Sequence, residues 1–240
     1  MKKRILGALV LTATIFTGCG GGGGGSSSTT YDLYSYLVNP EILTNDKVVS
    51  TSHHYVEYLD GVENFSSDDH SLYQKYDDDS IEEYDYASLF ISNTTDYYNN
   101  VGSMTPDYQL DISDTKLIDT YLAGSIDYEL KRVLSIGDII TSVSTNTGST
   151  YTCNLSKHYE SINIKDRIDS FYNTTSYSSI DKTYNDVIEM ICTDSFTNEE
   201  DYTYYAKNKG VILEMYDTNL TSGVKKHTMT YMTKNLVIDK

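Results

Sequence analysis

The feature that most constrains this chain is a two-residue alternation of apolar and polar side chains, interrupted by tight-turn signals. In "SIDYELKRVL", Ile126, Tyr128, Leu130 and Leu134 fall on one face, with Asp127, Glu129 and Lys131 on the other. Side chains alternate across a strand, so this period describes a half-buried strand with one wet face. Similar segments run near 47–59, 81–91, 138–145, 150–158, 186–193, 202–207, 211–216 and 224–232. Between them lie Asp60-Gly61, Asn146-Thr147-Gly148, Asn208-Lys209-Gly210 and Ser222-Gly223. Glycine supplies the positive φ that short hairpin turns need. The expected fold is therefore all-β, an antiparallel meander forming a curved sheet, a sandwich or a partly open barrel. At most one or two short helices are expected, near 31–38 or 114–122.

The 24 tyrosines, with threonine, suit half-buried strands. "SSDDHSLYQKYDDDSIEEYD", residues 66–85, is the most polar part and reads as containing a solvated loop. No Pro-rich or Gly-rich linker follows residue 30, so 31–240 reads as a single β-rich domain with a possible sub-boundary near 135.

The N-terminus carries an address. Lys2, Lys3 and Arg4 precede an apolar run from Ile5 to Phe16, which has the form of a secretory signal over residues 1–18. The run falls short of the roughly 20 residues needed to cross a bilayer as a helix. Phe16-Thr17-Gly18-Cys19 resembles the lipobox of bacterial lipoproteins, with Phe16 in place of the usual Leu. The resemblance implies cleavage before Cys19, lipidation of that cysteine by palmitate-like chains, and, with Gly20 next, sorting to the outer membrane, facing the periplasm or the cell surface. Residues 19–30 then form the lipidated cysteine and a Gly/Ser tether with a reach of roughly 18 Å.

Removing Lys2, Lys3 and Arg4 from the 18 basic residues leaves 15 against 35 acidic ones, a net charge of −20. Such a surface repels nucleic acid, which is excluded as a partner. The expected partners are the membrane, through the anchor, and another envelope protein or an apolar ligand.

With Cys19 lipidated, Cys153 and Cys192 remain, both in expected strands and in an oxidising compartment, so a disulfide is expected. The alternative is two reduced thiols too far apart to bond. Zinc is not expected, because neither belongs to a Cys-x-x-Cys pair.

Tyr204-Tyr205-Ala206-Lys207 and Gly210-Val211-Ile212 resemble a "YYAKGVGLV"-like hairpin in a loosely defined group of uncharacterised exported bacterial β-sheet proteins. "LSIGDIIT", 134–141, resembles the Gly-Asp strand that precedes it there. The resemblance implies a hairpin at Ala206 to Gly210 and carries no catalytic residues.

Motifs for chemistry are weak. His53, His54, His70, His158 and His227 show no ligand spacing, and His53 and His54 are expected on opposite faces of one strand. Asp77, Asp78, Asp79 and Glu82 form an acidic cation candidate, but the stretch lacks the glycine of a calcium loop. Ser-x-x-Lys occurs at Ser113/Lys116, Ser179/Lys182 and Ser222/Lys225 without its companion motifs. Asn219, with Asp217 two residues before it and Thr221 after it, fits an extended acceptor for bacterial N-glycosylation. The reading is a non-enzymatic, lipid-anchored interaction or structural module with no cofactor. A carrier of lipid or another apolar ligand is the alternative, and an envelope hydrolase comes third.

Overall fold

The computed structural model describes residues 29–37, 46–77, 80–86, 89–101, 104–121, 126–143, 150–173, 180–195, 199–220 and 222–240. Cys19, its tether and the signal segment lie outside these residues, as do Asp78 and Asp79.

Twelve strands form one antiparallel sheet built from two six-stranded meanders. The first contains β2 (Lys47–Leu59), β3 (Val62–Asp77), β4 (Ser80–Tyr86), β5 (Tyr108–Ile112), β6 (Lys116–Tyr121) and β7 (Ile126–Lys131). The second contains β9 (Ile139–Val143), β10 (Thr150–Asn163), β11 (Thr183–Asp194), β12 (Glu200–Ala206), β13 (Gly210–Asn219) and β14 (Lys225–Asp239). Each strand pairs with its neighbour in sequence, and β2 pairs with β14 to join the halves. The outer strands β7 and β9 come back together, so the sheet curls into a nearly closed barrel. A two-stranded ribbon of β1 (Thr30–Asp32) and β8 (Val133–Ser135) sits apart from this sheet.

The turns follow the sequence signals. Leu59 pairs with Val62, and the two residues between them, Asp60 and Gly61, have φ of 48° and 83°. This is the backbone that Asp-Gly favours in a two-residue hairpin. Asn146-Thr147-Gly148 lies outside the described residues; Ala206 pairs with Gly210 across the expected corner after it, where Gly210 has φ of 79° and a Cβ there would stand 3.3 Å from the Leu37 carbonyl oxygen.

Among the described residues three helices accompany the sheet. The first, α1 (Tyr34–Leu37), falls within the expected 31–38 stretch and packs against the β12–β13 end of the barrel, where the Asn208 N–H donates to the Ser35 carbonyl at 2.7 Å. The second, α2 (Thr94–Asn100), starts at Asn93, whose side chain accepts from the Asp96 N–H. The third, α3 (Ile164–Tyr172), starts at Asn163, whose side chain accepts from the Asp166 N–H, and ends at Asn173 in the left-handed region with φ of 52°. Both starts follow ordinary N-cap chemistry.

Burial distributes onto both faces of the sheet. Ile164 and Ile168 of α3 pack on Tyr204, Leu213, Met215, Met229 and Tyr231, which project from the outer face of β12 to β14. Ile91, Val101 and the half-buried Tyr97 cover Val48, Leu72 and Tyr84 on another outer patch. Inside, Leu33 and Tyr36 close on Leu117, Leu130, Leu155, Ile188 and Met190.

Two expectations are corrected. Within 114–122, Lys116–Tyr121 is strand β6 rather than a helix: Leu117 is fully buried, and Asp119, two residues on, is buried on the same side. The described part of 66–85, where a solvated loop is expected, is also strand: it belongs to β3 and β4, anchored by Leu72 and Tyr84 on the outer face and by Ile81 in the lumen, while most acids stay on the wet side.

Candidate functional site

The barrel encloses a cavity of about 480 Å³. Its position follows from register. At one level Cys153 pairs with Cys192, Cys192 with Asp201, and Asp201 with Tyr216. One step along, Met190 pairs with Thr203 and Thr203 with Glu214. A further step brings Ile188 beside Tyr205 and Tyr205 beside Val211. Because strand side chains alternate, Asp201, Thr203 and Tyr205 point inward while Tyr202 and Tyr204 point out under α3.

The first meander supplies the rest of the wall. Tyr73 pairs with Glu83, and Ile81, Leu110 and Asp119 form a row across β4, β5 and β6. Val49, Thr51 and His53 contribute three successive inward positions of β2. At the end near the β12–β13 turn, Leu37, Lys209 and Gly210 line the cavity.

Four carboxyl side chains thus line one cavity: Glu83, Asp119, Asp201 and Glu214. Burial raises Glu83 to about 8, against a hydrogen bond from the Tyr73 hydroxyl at 2.8 Å and with added repulsion from Asp119. Burial raises Glu214 to about 7, reinforced by the Asp201 charge. Burial also raises Asp201 to about 6, with Glu199 and Asp194 adding repulsion. These shifts express the cost of placing an anion in a medium that solvates it poorly.

The basic groups do not offset them. The His53 Nε2–H donates to the Val211 carbonyl at 3.1 Å, a partner that only accepts, and burial lowers the ring's pKa, which favours the neutral form. Lys209 is exposed at the turn. Burial raises the Tyr73 and Tyr205 hydroxyls above their ordinary value, so both stay neutral donors.

The disulfide between Cys153 and Cys192 is formed, with Cα atoms 4.0 Å apart, and it forms part of the cavity wall. Asp77 is exposed at the end of β3 and accepts from the Ser80 hydroxyl at 2.7 Å. Glu82 instead accepts from Gln74 at 3.0 Å and Tyr84 at 2.7 Å. The acidic cation candidate therefore divides, with Glu82 drawn into a side-chain network on the sheet and Asp77 left at the strand tip. Among the described residues no three His, Cys, Asp or Glu side chains group as metal ligands. His53 and His54 do face opposite ways: His53 lines the cavity, and His54 meets Asp68 at 2.7 Å. Ser113 caps a turn onto Lys116, whose ammonium pairs with Glu129 at 2.5 Å. Asn219 ends β13 with an exposed side chain.

Two polar clusters outside the cavity have structural roles. Glu189 accepts from Tyr159 at 2.9 Å and Tyr204 at 2.6 Å, from Ser156, and from Arg167 of α3 at 3.1 Å. Burial works to raise its pKa, but those hydrogen bonds and the Arg167 charge hold it below the ordinary carboxylate value. Asp186, at φ of 53°, accepts from Tyr36 at 2.6 Å and lies 2.9 Å from His158 and 3.2 Å from Lys207. It ties the N-terminal segment to the barrel.

Sequence reading did not single out the four cavity acids. They are scattered from position 83 to 214, and Asp119 falls in a stretch read as a helix.

No family model matches the sequence, and no curated protein matches it. Among solved structures the chain is similar to a Bacteroides fragilis protein provisionally described as exported, with a YmcC-like fold. The identity is 8%, the match covers 84% of this chain and 98% of the other, and the TM-score is 0.38.

Proposed function

We propose that this protein is a non-enzymatic, lipid-anchored envelope protein of the outer membrane that holds a small ligand in its barrel. The carrying observation is the cavity of about 480 Å³ inside the curled sheet, a volume within the roughly 300–1,000 Å³ of small-molecule sites. It favours a carrier over an interaction module. The walls combine apolar side chains such as Val49, Ile81, Leu110 and Met190 with a few inward polar groups, the pattern of a site that both buries and orients a ligand. The lipobox-like Cys19 and the tether keep such a carrier at the membrane while leaving the barrel free to turn.

Native mass spectrometry of the protein released from its host envelope is expected to show an added small-molecule mass, which Thr203→Trp reduces by filling the cavity. Unliganded protein that also fails to bind a panel of apolar and amphipathic probes refutes the carrier reading. Separately, Cys19→Ser is expected to move the protein from the membrane to the soluble fraction, and unchanged fractionation refutes anchoring.

A further inference from the structure

We infer that the barrel selects an amphiphile with a cationic head, an amine or quaternary ammonium carried on a short apolar body. This rests on the carrier reading and specifies the ligand's charge. Its basis is the Asp201, Thr203, Glu214 and Tyr205 wall, considered apart from the other acids.

Glu214 stands opposite Thr203, with Asp201 and Tyr205 as the flanking inward positions of β12. It is half-buried and lines the cavity, and among the described residues no side chain donates a hydrogen bond to its carboxylate. Asp201 likewise has only other acids as its electrostatic neighbours. The buried carboxylate of Glu189 is by contrast satisfied, with three hydroxyl donors and a guanidinium. A buried acid without donors destabilises the fold unless something else compensates it. In this wall the missing group is a cation or a hydrogen-bond donor, and the space beside it is open.

The rest of the lining narrows the class. A bare divalent ion needs about six oxygen ligands, and no such group forms among the described residues. An ammonium needs one or two carboxylates and favours aromatic faces, which Tyr73, Tyr205 and Tyr216 supply. The apolar body then lies on Val49, Ile81, Leu110 and Met190. An anionic head would face acids rather than bases on this wall, since the lining Lys209 is exposed at the far turn.

Calorimetric titration of the mature protein with octyltrimethylammonium, octyl glucoside and octyl sulfate, each below its micelle concentration, separates the possibilities. The ammonium is expected to bind at least about tenfold more tightly than the glucoside, as one desolvated charge pair provides. Glu214→Gln is expected to remove about that factor for the ammonium while leaving glucoside affinity unchanged. Asp201→Asn is the second variant, expected to act in the same direction, and circular dichroism checks that both fold. Equal binding of all three probes, or an ammonium affinity untouched by both variants, overturns the cationic selectivity and leaves a carrier. No binding of any probe overturns the carrier reading as well.

Discussion

Glu83 gives the cavity's electrostatics a direct thermodynamic test. Its carboxyl is raised from 4.5 to about 8, chiefly by burial, so the folded protein keeps this proton over a range in which the unfolded chain has released it. The stabilising contribution is full below about pH 4.5 and is lost as pH rises through about 8, because over that interval the native state binds more protons than the unfolded one. Each unit of difference is worth about 1.4 kcal/mol, so Glu83 alone lowers stability by about 3 kcal/mol between pH 4.5 and pH 7. Glu83→Gln keeps an oxygen to accept from the Tyr73 hydroxyl and removes the titration. Urea unfolding followed by circular dichroism at several pH values is the assay. The unmodified protein is expected to lose stability steeply as pH rises. The variant is expected to lose about 3 kcal/mol less over the same interval, with a residual slope from Glu214 and Asp201, which are raised in the same direction. Parallel curves for the two proteins would refute the reasoning, since they would mean that Glu83 ionises as it does in water.

Two further perturbations probe how the barrel is held. Replacing Cys153 and Cys192 together with serine opens a bridge between residues 39 apart in sequence and is expected to lower stability by about 4 kcal/mol on the chain-entropy account, read as a lower urea midpoint under non-reducing conditions. Arg167→Ala leaves Glu189 buried with hydroxyl donors alone and is expected to cost about 3 kcal/mol, whereas Lys165→Ala on the same helix, where the ammonium of the Lys165–Asp169 pair is solvated, is expected to move the midpoint much less. Equal losses for the two helix variants would show that α3 is not anchored through Glu189.

How legible all this was depends on which physical signal each element uses. Hairpins at Asp60-Gly61 and at Ala206 to Gly210 could be read because glycine and aspartate mark backbone conformations directly. The Cys153 to Cys192 pair could be read from compartment and strand placement. Helices α2 and α3 escaped because each is short and depends on an Asn cap and on tertiary cover: in α3 only Ile164 and Ile168 are buried. Strands β3 and β5 escaped because their polar content masks the alternation. The cavity escaped for a more general reason. In "EDYTYYA" the apolar set, Tyr202, Tyr204 and Ala206, faces outward beneath α3, and the polar set, Asp201, Thr203 and Tyr205, faces the lumen. Period-two patterning separates the two faces of a strand, but it does not say which face is the inside of a barrel.

The pairing of β2 with β14 bears on the order in which this chain can become a barrel. It sets Val48 beside Ile238 and His54 beside Tyr231, partners far apart in sequence, while every other main-sheet pairing joins strands that follow one another. Each six-stranded meander can zip up locally and early, but the seam between them carries a large loop-closure cost and waits for Lys225–Asp239 to be available. Until then β2 and β13 are both open edges, and the unfinished chain is most exposed to pairing with other strands in that interval.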